Sequence, residues 1–452
     1  MQKYGSYDIV VSGGGPAGIG AALAAAKNGA KVLIVEQYAF LGGCATFGMP
    51  LLVFHTLKGE KIIEGVAQEF VDELLKIDGV TNHVPLPAGH ISTYTLMDSE
   101  AVKYIAQKML VEAGVEILFH SQVVDAVMDK GAVRLDQGAV RGVVIQNKQG
   151  RFEAEAKNII DGTGDADVAF KAGVEVKKGS ETTHKMQALT MNFRLGGVDL
   201  EKLTQWIDQD PVYAVKPGES KKTFLRGWGT FGRWEDLIQQ MGLFRDRDHQ
   251  IYVNSFRDGE INCNTVKVMD LDPTDVKQLT RAEIETRDQV WQVYHFMKKR
   301  CPGCADSYLL STPVMVGIRE TRRILGEYEL KTEDVLEGRK FPDVIARASY
   351  TVDIHDPATG RISYRYVGGD GSYDIPYRSL VPKKVNGILA GGRCLSASQE
   401  ALGSARVMAI CMATGEAAGT AAAMAIDEGC EVRDLDVKKL QKRLVEQKAN
   451  LG

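Results

Sequence analysis

The apolar positions of this chain begin as a run. Residues 7–12 are apolar almost throughout, residues 31–36 repeat the pattern, and small residues fill the space between them. Runs this short and unbroken predict strands buried on both faces, as in parallel sheets. Between them Gly13-Gly14-Gly15-Pro16-Ala17-Gly18 reads as a turn, and the alanine-rich stretch to Asn28 as a helix closed by Gly29. The period then changes. Residues 62–76 place Val66, Phe70 and Leu74 on one helical face, and Asp98 caps a second helix carrying Val102, Ile105 and Met109 as far as Gly114. Residues 115–120 supply the third strand. Residues 122–152 read as short strands with turns at Lys130-Gly131 and Gln149-Gly150, an antiparallel meander laid over the sheet. The chain returns at 158–161 as a buried strand ending in a glycine-rich turn, Asp161-Gly162-Thr163-Gly164-Asp165.

This order of strand, glycine turn, helix, strand and acid is the dinucleotide fingerprint G-x-G-x-x-G in register. Gly13 makes the tight turn, Gly15 lets the backbone approach a diphosphate, and Gly18 lets helix and strand pack closely. The helix opening at Pro16-Ala17 aims free N–H groups and its positive dipole end at the turn. Glu36, at the end of the second strand with Gln37 after it, is placed to accept hydrogen bonds from an adenosine ribose and disfavours a 2′-phosphate. NAD and FAD both satisfy the fingerprint. Gly42-Gly43-Cys44-Ala45-Thr46 follows as a second place for backbone to meet the same ligand. In a doubly wound sheet ligands lie at the carboxyl ends of the strands, which brings the turn at Gly164-Asp165 beside the first.

At 452 residues the chain exceeds the reach of one core. Residues 171–384 lack a second fingerprint and read as an inserted mixed α+β substrate domain. Residues 1–170 and 385–452 read as one discontinuous Rossmann-type α/β domain. Asn386-Gly-Ile-Leu-Ala-Gly391-Gly392-Arg393 marks the return, and Gly403-Ser404-Ala405 opens a helix with glycines at 415 and 419. The apolar stretch 404–426 is long enough to cross a bilayer, but Arg406, Glu416 and its small residues favour a buried helix. A net charge of −4 gives no reason to expect nucleic acid or an anionic membrane as partner. Seven scattered cysteines suit a reducing, cytoplasmic setting rather than a disulfide framework. Cys301-Pro-Gly-Cys304 follows a long helix expected to start at a capping box, Thr280 to Glu283, and reads as a helix stop rather than a redox or metal pair. No metal site is expected.

Together the fingerprint, Gly42-Gly43, the Asp161–Asp165 turn and the C-terminal glycine strand resemble FAD-dependent oxidoreductases of the second glutathione-reductase class. The middle of the chain sharpens this: Gly317-Ile-Arg319-Glu-Thr-Arg322-Arg323, Phe341-Pro-Asp, Asp353-Ile-His355, Ile375-Pro-Tyr377-Arg378 and Gly391-Gly392-Arg393-Cys394 resemble a bacterial branch often labelled heterodisulfide-reductase-A-like. The resemblance implies FAD rather than NAD. It also implies that backbone at Val123 meets the adenine, that Gly164-Asp165 lies by the cofactor, and that Gly392-Arg393 and the helix start at Ser404-Ala405 reach the ribityl chain and ring. The iron–sulfur cysteine runs of a true heterodisulfide reductase subunit are missing. Where that pattern carries a histidine before a glutamate, this chain has Gln399-Glu400.

A flavin would take the hydride, leaving the protein to orient substrate and accept a proton. Tyrosines 350, 364, 366, 373 and 377 cluster with His355 and several arginines. His355 is the sequence choice for the base, with Tyr377 near it, and Arg319, Arg322 and Arg378 for a carboxylate or polyhydroxylated small molecule. Cys394 reads as a small buried residue, with a redox thiol or flavin anchor as its alternative. The functional expectation is an FAD-dependent oxidoreductase of a polar small molecule, its electron acceptor or donor unspecified. The alternatives are a thiol or electron-transfer reductase, and a non-catalytic binding protein that keeps the fold.

Overall fold

The structure, a computed structural model, describes residues 1–86, 90–129, 138–206, 225–230, 250–355 and 362–452, with backbone alone at 225–230, 250, 355 and 362. Gln2–Ser12 is the central strand. It pairs in parallel with Val32–Val35 on one side, Ile9 opposite Val32, and with Gly150–Asp161 on the other, Val11 opposite Ile160. Glu116–Leu118 and Ile388–Ala390 extend the parallel set at either side. Gln122–Asp129 and Gly138–Asn147 form the antiparallel meander. Its last strand is continuous with the buried strand at 158–161, so Gly150–Asp161 serves both layers where the sequence pattern suggested two elements.

Two helices pack over this sheet almost backbone to backbone. Pro16–Lys27 crosses Met408–Glu428, and a Cβ added at Gly20, Gly415 or Gly419 would fall under 3.0 Å from the carbonyl oxygen of Met412, Ala17 or Ala21 respectively. Only glycine permits that approach. Met408–Glu428 is long and apolar enough to cross a membrane, yet 89% of its most apolar window is buried in this core.

The helix expected to open at Ser404 is divided. Gln399–Ala405 is a short helix capped by Ser398, whose Oγ accepts from Ala401 N at 3.2 Å; Arg406 and Val407 then break the path, and the long helix starts at Met408. Neither glycine nor proline marks this break. Cys411 Sγ donates to the Arg406 carbonyl at 3.2 Å, satisfying an acceptor the break exposes.

The inserted region centres on an antiparallel sheet, in the order Leu225–Thr230, Gln250–Ser255, Glu260–Val268, Leu189–Gly196 and Tyr308–Ser311, backed by the helix Val276–Arg300. That helix starts four residues before the expected capping box. Asp275 is its cap, accepting from Lys277 N at 2.8 Å, while Thr280 Oγ1 donates back to Val276 O and Glu283 accepts from Val316 N. Cys301 and Cys304 are buried where the helix stops, and Gly303 has φ +84°. The separate core of this region runs from Leu189 to Val316, narrower than the expected 171–384, whereas Leu330, Ile345, Tyr350, Ile375 and Leu380 bury in the first core.

Glu416 lies in the middle of the long helix, 2% exposed, accepting from Val66 N at 3.0 Å. Burial pushes its carboxyl from the ordinary 4.5 up to about 7. The folded chain therefore holds a proton there that the unfolded chain releases near pH 4.5. The stability this gives is full below that pH, declines as pH rises, and is gone above about 7. Glu416→Gln keeps the acceptor and removes the titration. The parent should lose on the order of 3 kcal/mol more stability than this variant between pH 4.5 and 8. Denaturant melts with parallel pH dependence in the two proteins would contradict this account of Glu416.

Candidate active site

A cavity of about 760 Å³ opens at the carboxyl ends of the parallel strands, where Ser12, Glu36, Gly162 and Gly391 leave the sheet. The first turn is tied down from two sides. Gly13, with φ +93°, donates to Val35 O at 2.8 Å, and Gly14 N donates to Glu36 Oε2 at 2.7 Å. Glu36 Oε1 accepts from Tyr38 N at 2.9 Å, and burial pushes this carboxyl's pKa up. The second glycine loop hangs on the first, because Gly42 N donates to Gly14 O at 2.8 Å.

Asp161 is fully buried and organises the third turn, accepting from Thr163 N at 3.1 Å and from Ala169 N at 2.9 Å. Asp165 then receives Arg393 Nη2 at 2.9 Å and Thr321 Oγ1 at 2.7 Å. Arg393 Nη1 is buried and has no hydrogen-bond partner among the described residues.

The opposite wall comes from the inserted region. Residues 314–319 run along the cavity, held to the sheet where Gly317 N donates to Thr190 O at 2.6 Å. Arg319 Nη1 donates to Ala188 O at 2.7 Å and to Thr190 Oγ1 at 3.2 Å. Burial, then the neighbouring charge of Arg406, pulls the Arg319 pKa down to about 10. Arg406 Nη2 lies 3.7 Å from Asp353, whose Oδ2 also accepts from Tyr350 OH at 3.0 Å. His90 completes the cluster, stacked on Tyr364 with ring centres 3.8 Å apart.

The chain matches the family described as FAD dependent oxidoreductase over residues 8–444. It belongs to that family. Thiamine thiazole synthases of Aeropyrum pernix and Sulfolobus acidocaldarius match at 32% and 28% identity over 29% and 37% of this chain, covering 44% and 60% of their own lengths. A geranylgeranyl bacteriochlorophyll reductase-like protein of Thermoplasma acidophilum aligns over 98% of this chain and 84% of its own, at 15% identity and TM-score 0.49.

FAD is the cofactor, and the cavity is chemically suited to it. A Cβ at Gly15 would meet nothing within 4 Å, so the space in front of that backbone is open. Two long helices, Pro16–Lys27 and Met408–Glu428, present their first turns to the cavity without a side-chain cap. Such N-termini suit an anionic diphosphate and the electron-rich edge of a reduced flavin. Arg393, whose Nη1 has no hydrogen-bond partner among the described residues, lines the same cavity.

Among the cofactor residues expected from sequence, Gly13, Gly15, Pro16, Ala17, Glu36, Gln37, Gly43, Val123, Gly164, Asp165 and Arg393 line the cavity. Gly18, Gly42, Ala45, Thr46 and Gly392 stand behind them. A Cβ at Gly18 would run into Gly13 O, Gly42 has φ +117°, Ala45 N donates to Gly42 O at 2.9 Å, and Thr46 Oγ1 donates to Gly43 O at 2.8 Å. Gly392, with φ +66°, lets its strand end approach Ala17.

Ser404 and Ala405 do not reach the cavity: both are fully buried, and Ser404 Oγ bonds the Tyr350 carbonyl and Tyr373 OH. Tyr377 is also structural, 2% exposed with its hydroxyl donating to Val432 O at 2.6 Å. Arg378 points elsewhere, paired with Asp343 at 2.8 Å and lying over the Tyr328 ring. Gln399 bonds Glu320, and Glu400 pairs with Arg365. Arg319 is the one arginine of its motif that lines the cavity, since Arg322 is paired with Asp167 at 2.8 Å and Arg323 with Glu320 at 3.0 Å. His355 ends the strand Val352–His355, and its side chain lies outside the described residues. Sequence reasoning passed over His90, Lys267 and Arg406, which all line the cavity. Of these only Arg406 carried a signal, as a lone cation in an apolar run.

Gly15→Val tests the cofactor end. Its side chain would project into open cavity rather than into protein, so the fold should persist while FAD is lost on purification, read as flavin absorbance per protein. Retention of FAD at the parent's level would show that the diphosphate lies elsewhere.

Proposed function

We propose that the protein is an FAD-dependent dehydrogenase or reductase that moves a hydride directly between the flavin and a polar small molecule. The observation that supports this is a single cavity holding both the dinucleotide turns and the cluster of Arg319, Arg406, Tyr350, Asp353 and His90. No second dinucleotide fingerprint occurs in the sequence, which favours direct transfer over a separate nicotinamide domain.

FAD supplies the ring that exchanges hydride. Oxidation of an alcohol or amine breaks a carbon–hydrogen bond, whose hydrogen leaves with its electron pair for the flavin. It also breaks an oxygen–hydrogen or nitrogen–hydrogen bond, whose proton needs an acceptor as the carbonyl or imine forms. His90 is our choice for that acceptor. It lines the cavity beside Tyr364 and Tyr350, and imidazole is a side chain suited to taking up a proton. Tyr350, held by Asp353, orients the substrate's polar group. The narrower kinship with the heterodisulfide-reductase-A-like branch is likewise a proposal, supported by the 317–323, 353–355 and 391–394 motifs.

A thiol reductase is less well supported. Cys301 and Cys304 bury in the insert's own core, and Cys394 is buried off the cavity. Of the two thiols that line the cavity, Cys44 and Cys411, burial pushes the latter up to about 12. A thiol so seldom ionised is a poor nucleophile.

The test is anaerobic stopped-flow reduction of the FAD-bound protein by a panel of polar alcohols and amines. His90→Gln should slow flavin bleaching at saturating substrate by about 100- to 10,000-fold with FAD content unchanged. His355→Gln is measured beside it. If His90→Gln bleaches at the parent's rate and His355→Gln does not, the proton goes to His355. No bleaching by any member of the panel would count against direct hydride transfer.

A further inference from the structure

We infer that the substrate is an organic anion, a small carboxylic acid whose carboxylate is held by Arg319 and Arg406. This rests on the hydride-transfer reading and names its substrate class.

Most of the charged groups that line the cavity are engaged by near neighbours. Glu36 is engaged by the N–H groups of Gly14 and Tyr38, Asp165 by Arg393, and Asp167 by Arg322. Around the substrate cluster that leaves, among the described residues, Arg319 and Arg406, with the carboxylate of Asp353 facing Arg406. Arg319 forms no ion pair among the described residues, and its two hydrogen bonds, to a carbonyl and a hydroxyl, both leave from Nη1. A guanidinium has five N–H donors, so most of its donor fork is unspent.

Arg406 has one ion-pair partner among the described residues and donor groups to spare. Its side chain is 14% exposed, Asp353 stands at 3.7 Å, and its Nε is buried with no hydrogen-bond partner among the described residues. Two such groups in one cavity repel each other while sheltered from water. A buried, incompletely paired cation is costly unless something arrives to complete it. A carboxylate does so with matched geometry, because its two oxygens accept from the planar fork of either guanidinium.

Position separates Arg319 from the residues suited to the cofactor's own anion. The diphosphate end would be served by Gly15, Ala17 and Arg393, which come from the fingerprint helix and the 391–393 strand end. Arg319 comes from the 314–319 segment of the opposite wall, bonded to Thr190. Tyr350, Tyr364 and His90 line the same cavity as the pair, which suits a small organic acid better than a bare inorganic anion.

The probes are benzoate and its uncharged counterpart benzamide, titrated into the FAD-bound protein while the flavin absorbance band is followed. Benzoate should shift the band and bind at least about 10-fold more tightly than benzamide. Arg319→Gln and Arg406→Gln should each weaken benzoate by about 10- to 100-fold, the worth of a hydrogen bond to a charged group, with FAD retained and benzamide weakened by much less. Arg319→Lys, which keeps the charge and loses the fork, should fall between. Equal binding of benzoate and benzamide, or unchanged benzoate binding in the glutamine variants, would overturn the inference. Loss of FAD from folded Arg319→Lys would also overturn it, by assigning that arginine to the cofactor. The two proposals fail separately. Flavin bleaching by uncharged alcohols or amines, but not by hydroxy or amino acids, would remove the anion and keep hydride transfer. Intact benzoate behaviour with no bleaching by any substrate would keep the anion site and remove hydride transfer.

Discussion

The near-contact of two helix backbones is the constraint on which the rest of the molecule depends. Gly415 and Gly419 of the C-terminal helix sit against the carbonyls of Ala17 and Ala21, and Gly20 answers from the fingerprint helix. Each glycine inside a helix costs about 1 kcal/mol relative to alanine. That cost is offset by the dense burial that close approach allows, and the approach also has a geometric result. It brings the start of Met408–Glu428 and the strand end at Gly391-Gly392 beside the first glycine turn, so that two uncapped helix N-termini open into one cavity. Parts of the chain nearly four hundred residues apart thereby become a single cofactor site.

A second tie fixes the inserted sheet over that site. In residues 319–323 successive side chains take different tasks: Arg319 faces the cavity, Glu320 and Arg323 form a buried pair, Thr321 bonds Asp165, and Arg322 bonds Asp167. Asp165 is thus held at once by the insert, through Thr321, and by the C-terminal strand end, through Arg393. This carboxylate ties the glycine turn at 162–164 to the opposite wall of the cavity. Most of the charge in the motif is structural, and one arginine is left to meet a ligand.

What could be read from the sequence was local. The fingerprint was legible because its glycines act within six residues, and Asp98 was legible as a cap because its carboxylate accepts from Glu100 N at 2.8 Å and Ala101 N at 3.1 Å. The errors arose where a distant contact decides. Thr280 and Glu283 have the spacing of a capping box, but Asp275 caps the helix and the two side chains bond elsewhere. The break at Arg406-Val407 has no glycine or proline, and a run of small apolar residues conceals it. The tyrosine cluster looked like one site. The structure divides it, with Tyr350 and Tyr364 at the cavity and Tyr373 and Tyr377 sealed in the core. His90 sits near prolines and a glycine, with no periodicity to give it away.

The central claim is that one cavity seats FAD and, beside it, a substrate facing Arg319 and Arg406. A crystal structure of the FAD-bound protein tests this most directly. The account predicts the diphosphate within hydrogen-bonding distance of the Gly15 and Ala17 N–H groups, and the flavin ring between the first turn of Met408–Glu428 and residues 314–319. A ring lying away from Arg319 and Arg406, or a diphosphate bound outside the Gly13–Gly18 turn, would contradict it.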